Sequence, residues 1–153
     1  MFKALAVSTL AAAAFGLAAP AFAGECPANQ MRADATKPVT TAAKGVTDKV
    51  LSQIDLAGEK VALKGHLMRV RKLEIQPGGI VPWHSHEDRP ALIYVASGEI
   101  HEYASNCAVP IVHKAGDVIA ETKEILHWWK NTGNETVVLL SADLLKDPAD
   151  HNM

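Results

Sequence analysis

The sequence has no cluster of Lys or Arg along its 153 residues, and acidic residues slightly outnumber basic ones, 17 to 15. That excludes the basic footprint by which proteins grip nucleic acid. It also has no Gly-x-Ser-x-Gly elbow, no glycine-rich phosphate loop, no Cys-x-x-Cys and no His-Glu-x-x-His. The usual signatures of serine hydrolases, nucleotide-binding proteins, thioredoxin-like proteins and metalloproteases are therefore missing. There is no internal repeat and no linker. Cysteine is scarce, with only Cys26 and Cys107, and neither has a neighbouring His or cation in sequence to stabilise a thiolate.

What is present begins with an N-terminal run of Ala, Leu, Val and Phe carrying one positive charge, Lys3, and ending Ala21-Phe22-Ala23. This pattern reads as a secretory signal occupying residues 1–23 and cleaved after Ala23, which implies a periplasmic protein with no membrane attachment once the leader is gone. The competing reading is an uncleaved anchor, which the small residues and Pro20 at the end of the run argue against. A lipoprotein signal acylated at Cys26 is disfavoured by Glu25 directly before it. Export places Cys26 and Cys107 where a disulfide persists, and one bridge between them is the expectation. The remaining chain is of single-domain size.

Residues 24–60 read as an arm, and within it residues 47–56 place Val46, Val50, Leu51 and Ile54 at helix-like spacing, which predicts one short helix. From residue 61 to 146 the period changes to two. A strand through Leu67 to Ile75 is expected to end in a turn at Pro77-Gly78-Gly79, followed by short strands at 80–84, 91–95, 99–103, 110–113, 118–121, 126–131 and 136–144. Many short strands with turn signals between them predict an all-β sandwich or barrel. The polar tail, 147–153, is expected to fray.

Residues two apart on a strand share a face, so His84 and His86 project together, and His127, Trp129 and Asn131 form a second aligned set. Aromatic residues make up only 5% of the chain, yet all three tryptophans lie within two residues of one of these histidines. Trp129 is expected on the wall of a pocket, while Trp83 and Trp128 read as packing. His101 and His113 read first as surface or hydrogen-bonded structural residues. Arg89, in the loop after the histidine pair, reads first as solvated surface and second as an anion contact at the mouth of the site.

Gly78, His84, His86 and Gly98, followed by Gly116, His127 and Asn131, closely resemble the two motifs of the cupin superfamily. The first motif runs Gly-x5-His-x-His, then an acidic position and a glycine; the second runs from a glycine through Pro and Gly to His-x3-Asn. The resemblance implies a single small jelly-roll β-barrel, of the kind found in exported single-domain cupins, with one divalent metal ion held inside by His84, His86 and His127. Fe, Mn, Ni, Cu or Zn would each suit imidazole ligands. The sequence departs from the motifs in three places: Ala91 stands where the acidic ligand is expected, Thr122 replaces the proline and Glu124 the glycine. Three imidazoles with open positions still form a site; Glu121 or Glu124 would be the extra ligand if a carboxylate enters from a new direction. With Ala91 and Ile93 on the vacated face, the pocket there is expected to be apolar, and Trp129 and Asn131 complete its lining.

Two functional readings follow. The first is a mononuclear metalloenzyme with dioxygenase-type chemistry on a small organic molecule, or isomerase or lyase chemistry at the same site; no catalytic side chain beyond the ligands is identified. The second is a non-catalytic module that captures a metal ion or small ligand. Barrels of this kind pair through sheet edges, so a homodimer is a further expectation.

Overall fold

The computed structural model describes residues 24–39 and 41–146. The expected leader, 1–23, and tail, 147–153, lie outside the described residues. Eight strands make up the body: β1 (Lys44–Asp55), β2 (Leu67–Ser85), β3 (Ala91–Ser97), β4 (Glu99–Ala104), β5 (Ile111–Lys114), β6 (Val118–Glu121), β7 (Leu126–Lys130) and β8 (Val137–Leu145), preceded by a 3-10 turn at Ala28–Gln30. All strand pairs are antiparallel, in the order β5-β4-β7-β2-β8-β3-β6, with β1 added on β2. The sheet curls until β3 approaches β5, giving the all-β, jelly-roll-like architecture expected. Among the described residues no helix is long and apolar enough to cross a membrane.

Alternation decides what goes inside. β8 buries Val137, Leu139, Ser141, Asp143 and Leu145, one residue in two. β2 contributes Arg71, Leu73, Ile75 and Val81, β3 Ala91, Ile93 and Val95, and β7 His127 and Trp129. Leu73, Ile75, Val81, Ile93, Val95, Ile100, Trp129, Val137 and Leu139 belong to one apolar cluster, and each large side chain removed from water contributes about 1.5–3 kcal/mol. The polar members of the inward set are paired. Asp143 accepts from both Nε and Nη2 of Arg69, each at 2.9 Å, and from Arg71 Nε at 3.0 Å. Arg71 also pairs with Asp48 of β1 and reaches Ser141 Oγ at 3.4 Å. Buried Arg71 and half-buried Arg69, facing Asp143 and Asp48, leave no net charge in this layer.

Two local expectations are overturned. Residues 47–56 are not a helix: β1 pairs with β2 from Val46↔Ile75 to Asp55↔Leu67, leaving Val50, Leu51 and Ile54 exposed. The helix-like spacing has no face to bury, and ladder hydrogen bonds to β2 decide the conformation. Nor does β2 turn at Pro77-Gly78-Gly79. Gly78 takes φ +73°, and its N–H bonds Asn131 O at 2.9 Å while Gly79 O accepts from Asn131 N at 3.0 Å, so the chain continues as a strand along β7. A Cβ on Gly79 would lie 2.7 Å from Gln76 O and 3.1 Å from Gly45 O, so β1 and β2 meet only because no side chain intervenes.

The N-terminal arm is pinned to the β4–β5 connection. Cys26 and Cys107 form a disulfide across 81 residues of sequence. Met31 bridges Cys107, and Arg32 N and Ala108 N bond Asn106 O and Gln30 O, each at 3.0 Å.

Candidate metal centre

The β2–β7 register sets His84 directly opposite His127, and His86 follows just past the end of β2. Nε2 of His84 lies 3.0 Å from Nε2 of His86 and 3.2 Å from Nε2 of His127. The other nitrogen of each ring is engaged. His84 Nδ1 faces Pro82 O at 2.8 Å and His86 Nδ1 faces Arg89 O at 2.9 Å. A carbonyl only accepts, so both Nδ1 atoms carry the proton and both Nε2 atoms present lone pairs.

His127 Nδ1 lies 2.6 Å from Glu102 Oε1 and 3.2 Å from Trp129 Nε1. One nitrogen cannot both donate to the carboxylate and accept from the indole; the shorter, charge-assisted contact assigns the proton to Nδ1, donating to Glu102. Three Nε2 atoms thus converge with their second nitrogens already satisfied, an arrangement that repels itself unless a cation or a proton sits among them. Such a donor set fits a divalent ion, and these ligand atoms lie within 4.8 Å of one another.

The electrostatics agree. Burial, reinforced by charge on His127, pushes His84 down to about 2 and His86 down to about 4, so both rings are neutral. Burial alone would raise Glu102, but hydrogen bonds from His113 and His127 bring it down to about 2. His127 moves the other way: burial opposes its charge, yet the Glu102 hydrogen bond and the charge of Glu121 raise it. A divalent ion held by the three Nε2 atoms would take the place of any proton on His127 Nε2.

The triad lines a small cavity of about 30 Å³, enough to admit water. Trp129, Leu73, Val81, Ile93 and Leu139 form its apolar lining, and Arg71, Ser141 and Glu121 join the histidines as its polar lining. Trp129 and Ile93 both line this cavity. Asn131 does not: it is buried, but its Nδ2 bonds Ile75 O and Glu135 O at 2.9 and 2.7 Å, and its Oδ1 accepts from Gly133 N at 3.0 Å. It ties the β7–β8 loop. Ala91 is buried on the predicted face but belongs to a neighbouring outer groove with Leu56 and Met68.

Of the two proposed extra carboxylates, Glu124 is exposed and hydrogen-bonded by Thr122. Glu121 is buried and lines the triad cavity, but its Oε2 approaches His127 from the Nδ1 side, at 3.5 Å. With Glu102 and His127 it forms a second group able to hold an ion. Burial raises Glu121 to about 7.

Several residues that sequence spacing passed over prove central. Glu102 anchors His127 and also meets His113 Nε2 at 2.7 Å, while His113 stacks on Trp129 with centroids 4.9 Å apart. The signal was available: Ile100, Glu102 and Ala104 share one face of β4, so a glutamate in phase with two buried apolar residues must be inward. Arg89 is buried rather than solvated, at 2% exposure. His101 stays near the surface by Glu99. Tyr94 points away from the histidines, and Tyr103 stacks on Trp128 at 4.0 Å.

Residues 71–143 match the family model described as Cupin domain. No curated protein sequence matches. Among solved structures, the cupin domain of Schizosaccharomyces pombe Cnp3 aligns with TM-score 0.52 and 16% identity, over 71% of this chain and 66% of that one. A conserved double-stranded β-helix protein from Klebsiella pneumoniae aligns with TM-score 0.52 and 19% identity, over 74% and 84% of the two chains. An RmlC-like cupin from Shewanella frigidimarina aligns at 0.51 and 16%, over 72% and 88%. At these identities the likeness is one of fold. The sequence match and the fold agree: residues 71–143 form a cupin domain, and the described chain has the small, all-β cupin fold.

Proposed function

We propose that this protein is a mononuclear metalloenzyme of the periplasm, with His84, His86 and His127 as ligands and oxygenase-type chemistry on a small organic molecule. The observation that carries the reading is the convergence of three Nε2 atoms whose partner nitrogens are all held by Pro82 O, Arg89 O and Glu102. Bound there, Fe, Mn, Ni, Cu or Zn would supply Lewis acidity and, for a redox-active ion, electron transfer to an oxidant.

The chain's own groups do the rest. Glu102 holds the His127 tautomer and offsets positive charge brought to the site. The Trp129, Ile93 and Leu139 wall keeps bulk water out. Arg71 and Ser141, on the lining of the same cavity, offer donors for a carbonyl or hydroxyl oxygen. Support for an exported location comes from the leader-like residues 1–23 and from the Cys26–Cys107 bridge, which persists in an oxidising compartment.

The test is elemental analysis of the protein purified from its native host, followed by oxygen uptake with catechols, diketones and thiols. Failure to take up Fe(II), Mn(II) or Ni(II) after refolding would sink the reading. The small free volume beside the triad, about 30 Å³, favours a second reading, a binding module for a metal ion or very small ligand. His127→Ala separates them: an enzyme loses turnover, whereas a module whose ion is incidental keeps its ligand affinity.

A further inference from the structure

We propose that a second cavity, which shares Glu121 with the triad cavity, binds a small organic ammonium ion. This cavity is about 450 Å³, within the range of small-molecule sites and far larger than the space beside the histidines. It opens between the pinned N-terminal arm and strands β4, β5 and β6. Its described lining carries three carboxylates, Glu25, Glu102 and Glu121, and no Lys or Arg.

Glu121 points to a ligand. The residue is 2% exposed, and neither of its oxygens has a hydrogen-bond partner; the nearest ionic contact is His127 Nδ1 at 3.5 Å. A buried carboxylate without donors is costly, and a donor brought by a ligand removes that cost. Glu102, by contrast, has each oxygen engaged, by His127 and by His113, so it contributes charge rather than a free acceptor.

The rest of the lining selects the kind of cation. Met31, Ile111, Ile119 and Ile125 line the space around the carboxylates. A bare metal ion has no use for that volume or for those apolar walls, whereas a primary ammonium on a short alkyl chain uses both. Its three N–H groups reach the two oxygens of Glu121 while the carbon chain lies along the isoleucines. An alcohol of the same length brings one donor and no charge, and a carboxylate of the same length is repelled. The inference does not depend on an ion at the triad.

Calorimetric titration of the full chain tests it, using n-butylammonium as probe, with n-butanol and butyrate as neutral and anionic counterparts. Saturable binding of the amine alone is expected. Glu121→Gln, which keeps shape and removes charge, and Met31→Lys, which adds a cation at a lining position that is 58% exposed, should each weaken binding by at least about tenfold. Met31→Lys keeps the test decisive if the buried substitution disturbs folding. His84→Ala, which disables the triad, should leave amine affinity unchanged, so failure of this proposal and failure of the metalloenzyme reading are told apart. No saturable amine binding, equal binding of n-butanol, or equal affinity in Met31→Lys would overturn it. So would a second equivalent of Mn(II) or Zn(II) that is lost in Glu121→Gln and not displaced by the amine, which would make the cavity a metal site.

Discussion

Glu102 and His127 meet diagonally across the β4–β7 pair, carboxylate to Nδ1 at 2.6 Å, and both side chains are shut off from water. The contact makes His127 a better donor through its far nitrogen than His84 or His86, whose Nδ1 atoms meet only backbone carbonyls. Glu102→Gln retains an acceptor but deletes the charge. Metal affinity is expected to fall about 10–100-fold, with the fold kept. Competition with a chromophoric chelator measures it; unchanged affinity would remove Glu102 from the site's function.

His86 lies just beyond the end of β2 and contributes no ladder hydrogen bond of its own strand. His86→Ala should therefore abolish stoichiometric ion uptake while leaving the far-ultraviolet circular dichroism of the sheet unchanged. A variant that still holds one equivalent would show that two imidazoles suffice.

Asp143 accepts from both Arg69 and Arg71. Asp143→Ala leaves two largely buried guanidinium groups against one carboxylate, Asp48, and is expected to cost about 3–5 kcal/mol. Urea unfolding gives the number; a loss under about 1 kcal/mol would mean that water reaches the pair.

The disulfide closes a loop across 81 residues, for which chain entropy gives roughly 4 kcal/mol. Cys26→Ser with Cys107→Ser should lower the midpoint of thermal unfolding and make the arm around Met31 exchange its amide hydrogens fast. If exchange there is unaltered, the backbone bridges hold the arm without the bond.

The ion-free protein should be most stable near neutrality. Burial holds His84 and His86 at about 2 and about 4 in the folded state, whereas unfolded histidines protonate near 6.5. Their contribution is full above about pH 6.5 and is lost as pH falls toward 4. Glu121, raised by burial to about 7, acts oppositely: its contribution is present below the unfolded value near 4.5 and lost as pH rises through 7. His127, raised by Glu102 against the pull of burial, adds to the loss above about 6.5. Two groups against one give a net rise in stability with pH between about 4.5 and 6.5. Thermal unfolding from pH 5 to 8 should show a maximum near pH 6.5–7, and a midpoint climbing steadily to pH 8 would contradict the assignment.

The three converging histidines are legible because motif spacing and strand alternation are both local: His84, His86, His127 and Trp129 can be counted from fixed glycines and sorted by parity. Residues 47–56 were misread because a strand carried on another strand's edge need not alternate, and Val50, Leu51 and Ile54 stay exposed. The strand end expected at Gly78 failed because its partner, Asn131, is distant in sequence. Glu102 and Arg71 could be placed inside by parity, but what they touch depends on β4–β7 pairing and on β8, and spacing along one strand carries no such information. Ala91 shows the reverse case: the missing carboxylate was plain in the sequence, whereas the acid that approaches His127 from behind, Glu121, depended on the curl that brings β6 near β7.

The pairing of His84 with His127 across β2 and β7 also bears on how the chain assembles. Side chains alternate along a strand, so sliding β7 by one residue would turn His127 and Trp129 outward and bring Trp128 and Lys130 in. Such a misaligned chain would present two imidazoles and bury a cation. An ion that prefers three nitrogens over two would therefore favour the native register as the sheet closes, and would check strand alignment before taking part in anything else.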